Sequence, residues 1–549
     1  MQFSAKSKFW DFLQTRNGQL SALFLTYALG LWWYGVPLTG DQKVYVNTSL
    51  EMFQTKHWLY PVLMGTHYYD KPPFQNWMTL VGWNLFGFGA FGTFFPSVAA
   101  TLGSAWFVSK ISALLYPTAK PSLAGIIFAT TAGSITYACS AQMEAWVVFF
   151  YSGAWYGGLK YLNDKKPGTL FLAFIFAGLS ATVKSPLYSV FWVLAFMLLV
   201  VLRKEWRVFR DRFFYLALVT GIGVGVAWFA VILATDFNSF WSDYVVRETL
   251  NKRFGNGGGL LHMYADFFIS LFPWALLLPF ALWKFVSSTS RRDPRLGFLL
   301  SWCLLPSLFF SFFPYRTETY LYILTPAFAM ALAWGLEIWG PEAKLWLRAN
   351  AALLLTAALL LAALFFRSGM LPLAVAGGLP LAAAVLFTFA WSGNHRAMVF
   401  ASLLIVLAFR LSAIELGQAD VRDLRVAVAR HPDREISFYD GGHSWWNEIG
   451  LLSVAIGKPG FREPDTFHLA QSLGRGNLLV LSVGEWREQS AALENQAKIA
   501  GKSLRVDSWW RWNRGFEMPS RGHVFRMADP TSPGWREQFM REYKICYLD

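Results

Sequence analysis

Residues 186–202 read PLYSVFWVLAFMLLVVL, and the ten residues that follow, RKEWRVFRDR, carry five arginine or lysine side chains. An apolar run of this kind favours a helix inside a bilayer, where about 20 residues cross the hydrocarbon core. Cations that cluster directly after such a run are typical of the cytoplasmic face of a membrane. This stretch therefore predicts a membrane-spanning helix followed by a cytoplasmic loop.

The composition of the whole chain also indicates a membrane protein. Of its 549 residues 55% are hydrophobic and 15% are charged, whereas an average soluble domain is about 25% charged. The net charge of +14 falls largely in short loops between apolar runs, so contact with anionic headgroups explains it and we expect no nucleic-acid partner. The three cysteines are scattered, and their spacing matches neither a metal site nor a disulfide framework.

About thirteen apolar stretches are candidate membrane spans. They begin near Leu20, Phe91, Pro121, Ala145, Leu170, Pro186, Phe214, Phe267, Leu296, Tyr320, Leu347, Leu371 and Met398. Lysine and arginine are concentrated in alternate loops, which places the N-terminus in the cytoplasm. An odd number of spans then places the C-terminus outside, in the periplasm if the membrane is a bacterial inner membrane.

The spans end near residue 414, and the character of the chain changes there. Residues 415–549 mix charge, glycine, proline and short apolar runs such as NLLVLSV. This pattern predicts a soluble α/β domain on the periplasmic side, after a transmembrane domain at residues 1–414.

Two long segments lie on the predicted outer side, from about Leu38 to Ala90 (the first long loop) and from Thr235 to Asp266 (the second long loop). In the first, residues 49–63 and 74–88 mix apolar and polar residues at helical spacing. We expect both stretches to form helices that lie along the membrane interface.

The first long loop carries three candidate functional residues. Asp41, in LTGDQKVY, could act as a general base or ligate a divalent metal, although an acid at a helix end is also a common cap. Asp70 and Lys71, in GTHYYDKPPF, precede two prolines that stiffen the backbone. They suit a site that holds a metal and a phosphate, and the alternative is a solvated charge pair in a surface turn.

Two further candidates lie at the outer ends of spans. Glu144 follows ACSAQM, and acids near membrane depth tend to be functional, although the helix dipole also favours an acid at a helix start. Lys184, in ATVKSPL, could bind an anionic substrate or could extend its ammonium group to the interface.

Cations on the predicted outer side break the usual charge asymmetry. Arg247 and Arg253 lie in RETLNKRF, and Arg316 lies in PYRTETY beside Tyr320. Guanidinium groups bind phosphate through two parallel hydrogen bonds, so these residues are candidates for phosphate binding. A solvated charged face is the alternative reading. Acids and cations that gather at one rim of a membrane suit a lipid-linked phosphate substrate.

Several of these motifs, in this order, resemble a known family. An acid shortly after the first span, YYDKPPFQNW, ATVKSP, RETLNKRF and SFFPYRTETYLYILTP are similar to motifs of the polyprenyl-phosphate-sugar glycosyltransferases of the GT-C type. The bacterial aminoarabinose–lipid A transferase branch is the nearest, and the protein O-mannosyltransferases are more distant. The resemblance implies a polytopic helical fold with about 13 transmembrane helices and a periplasmic α/β domain.

The resemblance also implies roles for particular residues. Asp41 would activate the acceptor, Asp70 would hold a divalent metal with Asp41, and Lys71 and Arg253 would meet the carrier phosphate. Tyr45 and Tyr68 would line the cavity, and Glu144, which falls where the family has a further acidic residue, usually Asp, would join Asp41 and Asp70 as a catalytic acid.

The sequence departs from the family at three positions within the quoted motifs. Gln42 follows Asp41 where the family has Glu, Asp70 stands where Glu is usual, and Arg316 stands where Lys is common. These changes leave open the metal geometry, the sugar and the acceptor.

The expected function is transfer of a sugar from a polyprenyl-phosphate carrier to a periplasmic acceptor such as lipid A, with one divalent metal and no nucleotide cofactor. A protein O-glycosyltransferase of the same fold is an alternative. A transporter or flippase of a lipid-linked solute is another, although transporters usually place their sites near the midplane within inverted repeats. A scaffold without catalysis would leave the charges at the rim unexplained.

Overall fold

The computed structural model describes residues 41–117, 121–251, 259–290, 293–339, 421–440, 449–512 and 540–549, with single positions at 23, 27, 345, 348, 349, 352 and 356. Apart from those single positions, the predicted spans from Leu20, Leu347, Leu371 and Met398 lie outside the described residues. Arg253 also lies outside them.

The described residues before position 340 are almost entirely helical, and the exceptions are a short hairpin, β1 (Val62–Leu63) and β2 (Thr66–His67), and the connecting turns. The helices are α1 (Gln42–Thr55), α2 (Phe74–Phe86), α3 (Ala90–Leu115), α4 (Pro121–Ala129), α5 (Ala132–Ala138), α6 (Glu144–Asp164), α7 (Pro167–Val183), α8 (Pro186–Leu202), α9 (Arg212–Thr235), α10 (Phe237–Phe240), α11 (Leu260–Ser270), α12 (Leu278–Ser288), α13 (Pro294–Phe312) and α14 (Thr325–Trp339). Short 3₁₀ helices lie at Trp206–Arg210, Ala275–Leu277 and Glu318–Leu324, and a π-helix lies at Trp241–Leu250.

Several of these helices suit a membrane interior. Those long and apolar enough to cross a bilayer, judged by length and composition, are Ala90–Leu115, Arg212–Thr235, Pro294–Phe312 and Glu318–Trp339. The pair Leu260–Ser270 and Ala275–Ser288, bent by 110°, makes a fifth candidate, and α7 and α8 are shorter apolar helices. The prediction of a polytopic helical membrane protein is confirmed at this level, and most of the predicted starts agree with the observed helices to within three residues.

Two predicted spans are not continuous helices. The stretch from Pro121 is divided between α4 and α5, because Thr131 takes an extended backbone and its hydroxyl caps α5 at Ser134 N. The stretch predicted from Phe267 begins at Leu260 and bends after Ser270. Pro273 lies in that bend and has no N–H to continue the helix.

The first long loop also differs from the prediction of a helix over residues 49–63. Helix α1 starts earlier, at Gln42, and ends at Thr55, where Lys56 takes a left-handed conformation with φ 59°. Residues beyond it form the β1–β2 hairpin, in which Met64 and Gly65 both have positive φ. The Glu51 carboxylate accepts hydrogen bonds from Met64 N (2.7 Å) and Gly65 N (3.0 Å), and this ties the hairpin to α1.

The second predicted interface helix, α2, packs directly on α1. The buried Asn76 amide donates to Tyr45 O (3.0 Å), Thr48 Oγ1 (2.7 Å) and Ser49 Oγ (2.9 Å). A buried amide group must be satisfied, so these contacts fix the rotation of α2 against α1.

The described residues after position 420 form a mixed sheet flanked by helices. The five strands, in the spatial order β4-β3-β5-β7-β6, are β3 (Ile436–Tyr439), β4 (Gly460–Glu463), β5 (Leu478–Ser482), β6 (Leu504–Trp512) and β7 (Met540–Leu548). Pairs β3–β4 and β3–β5 are parallel, and β7 is antiparallel to both β5 and β6. The helices are α15 (Ile449–Ile456), α16 (Thr466–Gly474) and α17 (Val483–Ile499), preceded by helical residues 421–430.

Helix α15 packs against α1 at very short range. Gly450 N donates to Asn47 Oδ1 (3.0 Å), and a Cβ placed on Gly450 would lie 2.6 Å from Asn47 N. Gln54 Nε2 also donates to Gly460 O at the start of β4 (3.0 Å). The C-terminal sheet is therefore attached to the helix that follows Asp41.

We expect Gly450→Ala to destabilise the protein, because its methyl group meets backbone atoms of α1 that no side-chain rotation can move. Overpacking of this kind costs about 1–3 kcal/mol. The matched control is Gly484→Ala on α17, where the nearest atom to the added Cβ is Ser482 Oγ at 4.0 Å. Thermal unfolding of both variants in detergent measures the difference, and an equal midpoint for the two would contradict the close packing of α15 on α1.

Candidate functional site

Two ion pairs join the first long loop to the second. Asp70 pairs with Arg247, and Lys71 pairs with Glu248. Lys71 and Glu248 are 13% and 15% exposed, Asp70 is 18% exposed, and Arg247 is 55% exposed. Two consecutive residues of one loop thus meet two consecutive residues of the other in the same order, with opposite charges facing each other.

Both partners of this contact lie on a well-supported backbone. Lys71 precedes the buried prolines 72 and 73 at the start of α2. Arg247 and Glu248 lie on the π-helix Trp241–Leu250, a rare geometry that is frequent at functional sites. The Tyr69 hydroxyl donates to Asp236 Oδ2 (3.1 Å) and Trp228 Nε1 donates to Leu59 O (2.9 Å), so the first long loop is also bound to the end of α9.

A second charged pair is buried where α6 begins. Lys184, between α7 and α8, donates to Glu144 Oε1 at 2.6 Å, and the two side chains are 11% and 8% exposed. The Lys184 ammonium also lies 5.2 Å from the centre of the Tyr320 ring. The reading of Lys184 as a lysine that extends to the interface is wrong, because its charge is held inside the protein by Glu144.

Tyrosines connect these pairs with Asp41. Burial raises the pKa of Tyr45, and the negative charges of Asp41 and Glu144 raise it further. Burial also raises the pKa of Tyr68, with added contributions from Asp70 and Asp41. Both hydroxyls are therefore protonated at neutral pH and can donate hydrogen bonds.

Asp41 itself is exposed, at the N-terminal end of α1, and its side chain makes no capping hydrogen bond. Its negative charge contributes to the raised pKa of both Tyr45 and Tyr68, so the Asp41 carboxylate lies near these two tyrosines. An accessible carboxylate beside tyrosine hydroxyls can accept a proton from a bound hydroxyl group.

Arg316 is a cation of a different kind. Its guanidinium donates to Ser311 O (3.1 Å), and in the described part of the chain no carboxylate lies within 4 Å of it. Its positive charge is thus less compensated than that of Lys71, Arg247 or Lys184.

In the described part of the chain, the predicted metal site at Asp41 and Asp70 has no third acidic, histidine or cysteine ligand. Among the described residues, no group of three or more His, Cys, Asp or Glu side chains could hold a metal ion. Asp70 is moreover engaged by the Arg247 guanidinium. The described residues thus form no three-ligand metal cluster, and the divalent metal at Asp41 and Asp70 stays a prediction.

The structure adds residues that the sequence did not single out. Glu248 lies within the quoted RETLNKRF motif, yet nothing local indicates that it faces Lys71, because the two positions are 177 residues apart. Asn76, within FQNW, gives no signal that its amide would bind three groups of α1. Pairing across such distances depends on the tertiary fold.

Comparisons with known proteins agree with the resemblance deduced from the motifs. A family model described as dolichyl-phosphate-mannose-protein mannosyltransferase matches residues 70–230. An undecaprenyl phosphate-alpha-4-amino-4-deoxy-L-arabinose arabinosyl transferase from Pseudomonas fluorescens (strain Pf0-1) is 27% identical over 330 residues, which are 55% of this chain and 54% of that protein. A transferase of the same description from Serratia proteamaculans (strain 568) is 27% identical over 318 residues, 55% of this chain and 56% of the relative. The chain thus spans about half the length of the curated relatives it matches.

A solved structure has the same fold. ArnT from Cupriavidus metallidurans bound to undecaprenyl phosphate superposes with a TM-score of 0.66, over 96% of this chain and 97% of that one, at 16% sequence identity. The predicted GT-C resemblance is confirmed by these matches.

We expect the Glu144–Lys184 pair to respond to substitution as a buried charge pair. Lys184→Met leaves the Glu144 carboxylate buried without its partner and should cost about 3–5 kcal/mol of unfolding free energy. The double variant Glu144→Gln with Lys184→Met removes both charges and should recover most of that loss. Unfolding in a graded detergent mixture measures each variant, and a double variant that is less stable than Lys184→Met alone would contradict the pairing.

Proposed function

Because the chain carries at residues 70–230 a segment of a lipid-linked mannosyltransferase family and has the fold of a solved GT-C transferase, we propose that it is a membrane glycosyltransferase. It moves a sugar from a polyprenyl-phosphate carrier to an acceptor at the membrane surface. The names of the curated relatives favour undecaprenyl phosphate as the carrier and 4-amino-4-deoxy-L-arabinose as the sugar. The acceptor favoured by the resemblance is lipid A or a related glycolipid.

The observation that carries this proposal is the convergence of charged groups from four separate segments. Asp41 and Asp70–Lys71 come from the first long loop, Arg247 from the second, and the Glu144–Lys184 pair from the ends of α6 and α7. Tyr45 and Tyr68 lie near Asp41, and the centre of the Tyr320 ring lies 5.2 Å from the Lys184 ammonium. A water-soluble phosphate compound does not need apolar helices around its binding site. A phosphate on a lipid tail does need them, because the tail lies in an apolar environment.

The chemistry assigned to this site is a single displacement at the anomeric carbon of the sugar. An acceptor oxygen attacks that carbon, and the bond from the carbon to the phosphate oxygen breaks, with inversion of configuration. Asp41 takes the proton of the acceptor hydroxyl, and the phosphate oxygen keeps the bonding electron pair. The ammonium of Lys71 and the guanidinium groups of Arg247 and Arg316 stabilise the charge that develops on the phosphate, an electrostatic role that usually contributes most to catalysis. No nucleotide is needed, because the lipid phosphate is the leaving group.

Arg253 is a further candidate for phosphate binding on the strength of the resemblance alone. It follows the π-helix by three residues. Tyr45, Tyr68 and Tyr320 are predicted to line the site. Their hydroxyls keep their protons and can therefore donate hydrogen bonds to the sugar or the phosphate.

The topology that suits this function has thirteen spans over residues 1–414 and a periplasmic domain over residues 415–549, in a bacterial inner membrane. The packing of α15 on α1 supports a common side for the C-terminal sheet and Asp41, because Gly450 and Asn47 are in direct contact. The charge distribution of the loops supports the orientation.

We expect Asp41→Asn to reduce kcat by about 10²- to 10⁴-fold, because the amide cannot accept the proton of the acceptor. The assay uses the purified chain, labelled undecaprenyl-phosphate sugar and a lipid acceptor, and it follows both labelled acceptor and free carrier phosphate. The control is Asp164→Asn, at the C-terminal end of α6 and therefore at the opposite end of that helix from Glu144. Full transfer activity in a well-folded Asp41→Asn protein would remove the assigned role.

Movement of intact donor across vesicle membranes, without release of carrier phosphate, would favour a transporter instead.

We expect Lys71→Ala to act mainly on the donor. Loss of the ammonium leaves the Glu248 carboxylate facing the phosphate, so KM for the donor should rise by about 100-fold. Lys165→Ala is the matched control, since Lys165 also pairs with a glutamate, Glu205, at 2.9 Å but lies in the connection between α6 and α7. Steady-state kinetics against donor concentration separate KM from kcat, and an unchanged KM would count against a phosphate contact at Lys71.

A further inference from the structure

The Lys71–Glu248 pair places a carboxylate where the proposed function requires a phosphate. Lys71 and Glu248 are the least exposed members of the contact between the two long loops. Any phosphate that reaches the Lys71 ammonium therefore comes close to the negative Glu248 carboxylate, and burial of this pair limits screening of the repulsion by water. Such a neighbour weakens anion binding, so its presence needs a reason.

Neighbouring contacts on both loops hold Glu248 close to Lys71. Glu248 lies on the π-helix, and the residue before it, Arg247, is paired with Asp70. Lys71 is held from the other side by the prolines that begin α2 and by Tyr69, whose hydroxyl is bound to Asp236. The two loops thus hold acid and ammonium side by side rather than letting either side chain swing away.

The charge on the carrier changes during the proposed reaction. The donor is a phosphodiester with one negative charge. When the bond from the sugar to the phosphate oxygen breaks, the oxygen keeps the electron pair, and the carrier becomes a phosphate monoester. A phosphate monoester has a second pKa of about 6 and carries close to two negative charges at neutral pH. Coulomb repulsion from a fixed carboxylate scales with that charge, so it opposes the product about twice as strongly as the donor.

We propose that Glu248 is a positioning residue that favours release of the carrier phosphate. It holds the Lys71 ammonium in place for the donor, and it counteracts the excess affinity that a site lined by cations would otherwise have for the doubly charged product. This inference rests on the proposed function, because it assigns Glu248 a part in the donor cycle of that site.

The experiment compares product affinity with donor affinity in the full-length protein. Undecaprenyl phosphate is titrated as an inhibitor of transfer, which gives its inhibition constant, and KM is measured for the sugar donor. In Glu248→Gln the inhibition constant should fall about tenfold and KM about threefold, because the donor carries half the charge, so the ratio of the two falls about threefold. The effect should shrink from about pH 7.5 to about pH 5.5, where the monoester loses most of its second charge. A loss of stability alone would lower activity without changing this ratio or its pH dependence.

Matched variants keep the test decisive. Glu248→Asp retains the charge and should keep the wild-type ratio within about twofold. Glu205→Gln removes the acid of the Lys165–Glu205 pair, which lies outside the two long loops, and should also keep the ratio. If Glu248→Gln does not fold, Glu248→Met takes its place in the same ratio measurement.

The outcomes separate this inference from the function beneath it. A wild-type protein that neither binds undecaprenyl phosphate nor transfers sugar overturns the proposed function. If the wild-type protein transfers sugar, but Glu248→Gln has the same ratio of inhibition constant to KM as the wild type, only the role of Glu248 is overturned. A rise in the ratio, or an equal fall in Glu248→Asp, also overturns that role.

Discussion

The contact between the two long loops is the constraint on which the site depends. Asp70 and Lys71 meet Arg247 and Glu248 across 177 residues of chain, and helices α3 to α9 lie between them in sequence. Opposite charges at this contact, three of them largely buried, hold the loops in one register. The same four groups are the ones that face an anionic lipid headgroup in the proposed reaction, so the fold and the chemistry use the same charges.

Helix α1 transmits this arrangement to the rest of the molecule. Its N-terminal end carries Asp41 and Tyr45, and Glu51 holds the hairpin that leads to Asp70. The Asn76 amide fixes α2 on one side, and α15 packs on another through Gly450. One short helix thus connects the candidate base, the charged loop contact and the C-terminal sheet. A displacement of α1 would alter all three together, which gives the C-terminal residues a structural reason to affect the site.

The sequence predicts the helices well and their interactions poorly. Apolar length and loop charge locate most helix starts to within a few residues, since burial in lipid leaves a strong local signal. The breaks at Thr131 and beyond Ser270 were missed because they depend on a cap and a packed turn rather than on hydropathy. The motifs gave Asp41, Asp70, Lys71 and Glu144 as candidates, but their partners come from distant segments. Long-range pairing leaves no periodic pattern in a single sequence.

The position of the carrier phosphate tests the central claim most directly. A cryo-EM structure of the full-length protein with undecaprenyl phosphate would locate the phosphorus atom relative to the two long loops. The proposed function requires the phosphate oxygens to lie within about 4 Å of the Lys71 ammonium, at ion-pair distance, with Asp41 facing the same cavity. A phosphate bound at the opposite end of the spanning helices, or more than about 10 Å from both Lys71 and Arg247, would contradict it.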